Sequence, residues 1–254
     1  MIRFENVTKN LGGRLILNQL DFEIETGETF VIVGASGTGK SVSLKHMVRL
    51  MTPDEGRVFV GDDVVSEAGG KALSDIRSRF GVLFQSAALM QWMTVQENVG
   101  LPLAELTKMK RPDINNKVRE MLARVQLEHA MDKLPSELSG GMRKRVGLAR
   151  AIITEPEIVL YDEPTSGLDP VTSRTIDELI DRLRRELGIT SVVVTHDLHS
   201  ALSIGTRIGM LYEGKMVEIS TPKEFIRSTN EQVRRFLESQ YITCEGDWER
   251  TNKE

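Results

Sequence analysis

One change of pattern constrains this chain more than any other. Thr29-Phe30-Val31-Ile32-Val33 is a nearly continuous apolar run, and it passes directly into Gly34-Ala35-Ser36-Gly37-Thr38-Gly39-Lys40-Ser41. A run without polar alternation reads as a strand buried on both faces, which demands a sheet covered on both sides. The residues after it match the phosphate-binding loop pattern, two glycines with four residues between them and then Lys and Ser or Thr. Glycines let the backbone curl until its N–H groups face one point, and a helix starting near Lys40 adds the positive end of its dipole there. Lys40 supplies a mobile charge for β- and γ-phosphates, and the Ser41 hydroxyl is able to ligate Mg2+.

Such a strand needs neighbours of its own kind, and the sequence supplies them. Ile158-Val159-Leu160-Tyr161 and Ser191-Val192-Val193-Val194 read as two more buried strands, with a helical stretch from Ser173 to Leu187 between them. Strand, helix and strand in that order imply an α/β fold with a largely parallel sheet. Ile2–Val7 and Leu20–Ile24 alternate apolar and polar residues around a Gly12-Gly13 turn, as half-buried strands do. Residues 87–151 lack strand patterning and read as a helical insertion in the α/β core. From Tyr241 to Glu254 the chain is polar and charged apart from Ile242 and Trp248, so 241–254 reads as a tail, loosely ordered or bound to a partner.

Composition narrows the class. A chain of 254 residues buries roughly 70–75% of its unfolded surface, so it needs neither disulfides nor a structural metal. With 33 basic and 37 acidic residues the balance does not suggest a general nucleic-acid binder. The single cysteine, Cys244, excludes an internal disulfide and a Cys-rich zinc site, and it fits a reducing compartment. Glu5 interrupts the start where a signal peptide needs apolar residues, and no apolar run approaches the ~18 residues of a membrane span. Work at a membrane would therefore go through a partner.

Three further segments carry chemistry. Asp162-Glu163 ends a buried strand; an Asp there is able to hold the water shell of Mg2+ and an adjacent Glu to accept a proton from an attacking water, although an acidic turn after a strand reads the same alone. Leu138-Ser139-Gly140-Gly141-Met142 opens a basic, apolar-periodic helix, which fits either a second anion site or a Ser-capped helix start. Gln85 and His196 taken singly read as a loop amide and a strand-end histidine.

In order along the chain, the phosphate loop, Gln85, Leu138-Ser139-Gly140-Gly141, Asp162-Glu163, Ser166-Gly167-Leu168-Asp169 and His196 resemble the ATP-binding subunits of ABC transporters from about residue 1 to 240. The resemblance implies a P-loop NTPase core with an N-terminal antiparallel β subdomain and an inserted helical subdomain. It implies ATP and Mg2+ as cofactors, and a head-to-tail dimer in which each ATP lies between the P-loop of one copy and the signature loop of the other. Ser139, Gly140 and Gly141 then hold the γ-phosphate of the partner's ATP, and Asp169 makes a contact across the dimer. Gln85 becomes a ligand to Mg2+ or to the water and a link to the membrane subunit. Glu163 becomes the base, His196 a hydrogen-bond donor to the γ-phosphate, and Ser41 and Asp162 the remaining metal ligands.

Two departures from the family pattern stand out. Leu11 precedes Gly12 where most members carry an aromatic that stacks on adenine, and Met142 ends the signature where most have Gln. The Met form, with Phe84–Leu89, Met93–Val99, Pro135-Ser136-Glu137 and Thr195-His196-Asp197, is similar to the ATPase of Mla/MCE-type phospholipid transporters. That implies a permease, a periplasmic MCE-domain protein and a small STAS-type cytoplasmic subunit as partners. It also implies a peripheral place on the cytoplasmic face of the inner membrane. Amino-acid importer ATPases share part of these matches, so a small-solute importer is the alternative. A soluble ATPase acting on DNA or ribosomes usually carries two ATPase units or a long coiled coil, and this chain has neither.

Overall fold

In the computed structural model, which describes residues 2–242, the run Thr29–Val33 is a strand, β3, buried at every residue. Ahead of it lie β1 (Ile2–Leu11) and β2 (Arg14–Ile24). After it come α1 (Lys40–Met47), β4 (Glu55–Val60), β5 (Asp63–Val64), α2 (Gly70–Ser78) and β6 (Phe80–Leu83). The order continues through α3 (Val95–Leu106), α4 (Arg111–Arg124), α5 (Gly140–Ile152), β7 (Ile158–Asp162), α6 (Pro170–Leu187) and β8 (Thr190–Thr195). It closes with α7 (Leu198–Ile204), β9 (Arg207–Tyr212), β10 (Lys215–Ser220), α8 (Pro222–Ile226) and α9 (Glu231–Ser239). Cys244, Trp248 and the tail from residue 243 lie outside the described residues. The chain forms two units: residues up to Arg77 together with those from Val192 onward, and Ser78–Ser191.

In the first unit an antiparallel sheet runs β2-β1-β4-β5. Its register sets Phe4 opposite Phe22 and, on the other side, opposite Val58, so the apolar face that alternation predicts becomes continuous. Phe4 stacks on Phe22 at 4.5 Å between ring centroids, and Phe22 on Phe30 of β3 at 5.7 Å, which joins this sheet to the buried strand. β3 pairs in parallel with β9, and β9 in antiparallel with β10. Buried Glu28 accepts from the Glu25 N–H at 2.7 Å and from Arg207 Nη1 at 3.3 Å; burial still pushes its carboxyl above the usual range.

The second unit pairs β6 in parallel with β7, Leu83 opposite Tyr161. β6 is a strand that residue patterning passes over, because Phe80-Gly81-Val82-Leu83 is short and sits beside helical sequence. α5 packs on it, and α3 and α4 pack with α5 around buried Val95, Val99, Leu103, Val118, Leu122 and Val146. α6 begins at Pro170, three residues before the apolar periodicity becomes legible, because Asp169 caps it and Pro170 takes the first helical position. Antiparallel and parallel pairings in one chain make the α/β class that the patterning predicts. Among the described residues no helix is long and apolar enough to cross a membrane.

A Cβ added at Gly81 would run into the carbonyl oxygen of Ala151, where α5 presses on β6. Gly81→Ala should therefore destabilise the protein by about 1–3 kcal/mol, the usual cost of overpacking. Chemical denaturation would show the midpoint falling with an unchanged slope.

Candidate active site

The phosphate loop follows β3 without an intervening turn. Gly34, at φ 152°, directs the chain out of the strand, and a Cβ there would strike the Leu211 carbonyl of β9. Gly37 and Gly39 hold φ of 83° and 105°, which side chains resist, and Gly39 caps α1. Thr38 Oγ1 donates to the Ala35 carbonyl at 2.9 Å and draws the loop closed. Lys40 is only 6% exposed, and its Nζ lies 2.7 Å from the Gly34 carbonyl and 3.0 Å from that of Ala35. A loop curled around an ammonium at a helix N-terminus is a fitting cradle for phosphate oxygens.

Behind the loop, His46 sits buried on α1 with Nδ1 donating to the Val42 carbonyl at 2.7 Å. Burial holds its imidazole below the ordinary value of 6.5. The folded chain thus refuses a proton that the unfolded chain accepts, so stability is full above about pH 6.5 and declines as the pH falls from there towards the folded value. Comparing urea midpoints of the wild type and His46→Gln from pH 8 down to about pH 5 should show a shallower decline in the variant.

His196, exposed at the end of β8, lies in the turn before α7. Gln240, just past α9, spans that turn: its Nε2 donates to the His196 carbonyl at 2.6 Å and its Oε1 accepts from the Leu198 N–H at 2.9 Å. No sequence motif marks Gln240, because only the folding back of α9 brings it to residues more than forty positions earlier.

In the second unit the remaining candidates converge. Ser139 caps α5, its Oγ accepting from the Met142 N–H at 3.3 Å, which is the Ser-capped helix start of the two readings. Gly140 and Gly141 are closely packed: a Cβ would meet Leu168 Cδ2 at a tight 3.1 Å and would clash with Thr172 Cγ2 at 2.5 Å, respectively. The signature glycines are therefore pressed against the start of α6. Asp169 caps that helix through Val171 N–H and Thr172 N–H, both at 3.0 Å, and accepts from Thr172 Oγ1 at 2.6 Å. Those bonds, the hydroxyl's first, hold its carboxyl below the usual range.

Gln85 Nε2 donates to Ser166 Oγ at 3.2 Å, reaching the loop that leads from Glu163 to Asp169. Glu163 is 9% exposed and its backbone is left-handed, φ 49°; Ala87 and Ala88 after Gln85 are left-handed too, at 60° and 46°. Each such residue costs about 1–3 kcal/mol. Two cations of α5 hold them. Lys144 Nζ donates to the carbonyls of Gln85 and Glu163 at 2.7 and 2.8 Å, and Arg150 to those of Ala88 and Ala87 at 2.8 and 2.7 Å. Hydrogen bonds from charged donors contribute about 1.5–3 kcal/mol each, enough to sustain the turn. Neither cation carries a motif signal; in sequence they are part of an ordinary basic helix.

Ser41, Gln85 and Asp162 offer hydroxyl, amide and carboxylate oxygens, the hard donors that Mg2+ takes alongside phosphate oxygens. Among the described residues no three His, Cys, Asp or Glu side chains cluster so as to hold a metal ion.

Comparison with known proteins gives this arrangement its family. The family model described as ABC transporter matches residues 17–166. The probable ribonucleotide transport ATP-binding protein mkl of Mycobacterium tuberculosis (strain ATCC 25618 / H37Rv) is 39% identical over 241 residues, which cover 95% of this chain and 67% of that protein. The methionine import ATP-binding protein MetN of Xanthomonas euvesicatoria pv. vesicatoria (strain 85-10) is 40% identical over 242 residues, covering 93% and 72%. Among solved structures, the dimeric post-hydrolysis state of the ATP-binding cassette MJ0796 bound to ADP and Pi superposes with a TM-score of 0.80. It is 34% identical and covers 87% of this chain and 99% of that one. CbiO1 of Clostridium perfringens, part of the ABC transporter complex cbiONQ, gives 0.81 at 28% identity over 95% and 98%. This chain belongs to the ABC transporter ATP-binding family. It is an ATPase and the ATP-binding subunit of an ABC transporter.

Proposed function

We propose that this chain powers phospholipid movement between membranes through a separate permease and an MCE-domain protein. Two copies act head to tail on the cytoplasmic face of the membrane, and a small STAS-type subunit completes the assembly. The observation that carries the transport reading is a groove of about 410 Å3 in the second unit, between α3 and α4, lined by Met93, Gln96, Gly100, Leu101, Met109 and Ile114 among others. In the segment that leads into α3, Leu89 and Val95 are buried, whereas Trp92 is 78% exposed. Buried Asn98 ties this edge together, its amide nitrogen donating to the Met90, Met93 and Thr94 carbonyls at 3.1, 2.9 and 3.0 Å. Met and Trp are types enriched at interface anchors, and Met adapts to a moving surface. A cytoplasmic helix of the permease fits such a groove, a few residues past Gln85. Lipid as the cargo is supported by the Met142 form of the signature and by Phe84–Leu89 and Met93–Val99. The MetN relative favours the second reading, a small-solute importer.

The chemistry assigned to the site residues is in-line transfer of the γ-phosphoryl group to water. Lys40 and the N–H groups of residues 34–41 bind the phosphates. Ser41, Gln85 and Asp162 would hold Mg2+, which supplies neutralisation of the phosphate charge. Glu163 takes the proton of the attacking water as its oxygen bonds phosphorus and the bond to ADP breaks. His196 donates to the γ-phosphate, and Ser139, Gly140 and Gly141 close over the nucleotide of the other copy, with Asp169 at the contact between copies.

Glu163→Gln should keep ATP binding and lower kcat by about 10²–10⁴, the usual worth of a general base. Lys40→Ala should lose tight ATP binding. Mixing Lys40→Ala with Ser139→Arg chains should restore one complete site per heterodimer, read as ATPase activity that neither variant shows alone; mixtures as inactive as their parts would refute the shared site.

In the reconstituted complex, Trp92→Ala or Met90→Glu should cut lipid transfer between vesicles at least tenfold, about 1.4 kcal/mol of coupling, while the free chain's ATPase stays near normal. A complex that moves only small polar solutes would select the importer reading instead.

A further inference from the structure

Of the buried polar side chains, Lys144 has the most consequential partners. It lies on α5, five residues past Ser139, and only 5% of it reaches solvent. Its two acceptors are not scattered backbone groups. β6 and β7 are parallel with Leu83 opposite Tyr161, so Gln85 and Glu163 each stand two residues beyond a matched pair. Their carbonyls emerge side by side at the same end of the two strands, and one amine spans both at 2.7 and 2.8 Å. Burial pulls the amine's proton affinity down, and the nearby Glu163 and Asp162 carboxylates act against that. Gly147, one turn further along α5, approaches the same segment so closely that a Cβ would lie 2.7 Å from Leu83 Cδ1 and 3.0 Å from the Ala87 Cβ. Arg150 holds the next two carbonyls, Ala87 and Ala88, so one face of α5 grips the turn throughout.

We propose that Lys144 is a positioning residue for hydrolysis: it fastens Gln85 and Glu163 to the helix that begins with Ser139-Gly140-Gly141, so that the three move as one body. The inference rests on the roles proposed above for Glu163 and the signature. Its consequence is specific. Phosphate seated against Ser139–Gly141 belongs to the other copy's nucleotide, while Glu163 works on the nucleotide of its own copy. Lys144 therefore links the two sites of the dimer, and ATP at one site sets the base at the other. Hydrolysis is then cooperative in ATP because the two sites share this link, not because of P-loop affinity.

The test compares the full-length wild type with Lys144→Met, Lys144→Arg and Glu163→Gln, measuring kcat, KM and Hill coefficient for ATP together with binding of a fluorescent ATP analogue. Lys144→Met keeps a side chain of similar length and removes both hydrogen bonds. It should lower kcat at least tenfold and bring the Hill coefficient towards 1, with analogue affinity within twofold of the wild type. Lys144→Arg, which keeps donors and charge, should recover at least a third of kcat and the cooperativity. Should the Met variant fail to fold, Lys144→Gln retains two N–H donors on a shorter stem and should show the same losses in smaller measure. If the folded variants hydrolyse ATP with wild-type kcat and Hill coefficient while Glu163→Gln is inactive, Lys144 is only structural and the proposal is wrong. Full turnover by Glu163→Gln itself would overturn the reading of the base beneath it, a result distinct from any Lys144 outcome.

Discussion

A strand buried on both faces has to release its chain within a residue or two if the groups at its end are to face a phosphate, and that requirement shapes much of this molecule. Ordinary β geometry would carry the backbone onward into the covering layer. At β3 the release is made by Gly34 at φ 152°, the turn pressed against the Leu211 carbonyl of β9. At β7 it is made by Glu163 at φ 49°, a residue with a side chain in the left-handed region. Glycine meets the requirement without strain, whereas Glu163 meets it only because neighbouring groups hold it there. The place where glycine is not used is the place where the carboxylate proposed as the base stands.

The holding groups are cations taken out of water. Burial lowers the proton affinity of Lys144 and of Arg150, which marks the cost of placing them under α5. Each recovers that cost through short bonds to backbone carbonyls of the turns that follow β6 and β7. Removing Lys144 takes away a charged donor from two carbonyls at once, leaving that of Glu163 with the Ser166 N–H at 3.2 Å, so the loss exceeds a single hydrogen bond. α5 thus has three tasks on one thirteen-residue element. Its capped N-terminus presents the signature, its glycines let β6 and α6 come close, and its cations secure the turns that carry Gln85 and Glu163. The first unit uses a neutral version of the same device, the Gln240 amide bracketing the turn of His196.

Family membership and the class of fold were legible in the chain because they depend on local chemistry. A phosphate loop needs glycines at fixed spacing after a buried strand, and a helix cap needs Ser139 or Asp169 next to its first turn. These rules act over a few residues, so linear order records them. β5, β6, β9 and β10 were not read: β5 and β6 have two and four residues, and Arg207–Tyr212 and Lys215–Ser220 show neither a continuous apolar run nor a clean period-two alternation.

What the sequence by itself determined, then, is the list of candidate site residues and most of the elements that present them: the loop from Gly34 to Ser41, Gln85, Ser139–Gly141, Asp162-Glu163, Asp169 and His196. What only the tertiary structure decided is how those groups are supported. Lys144 donates to residues 59 and 19 positions away, and Gln240 to one 44 positions away. Contacts of that span leave no periodic trace, because a hydrogen bond to a backbone carbonyl is blind to the side chain of the residue that accepts it. Any residue at position 85 or 163 offers Lys144 the same oxygen; only the parallel register of β6 and β7 brings those two oxygens within reach of one amine.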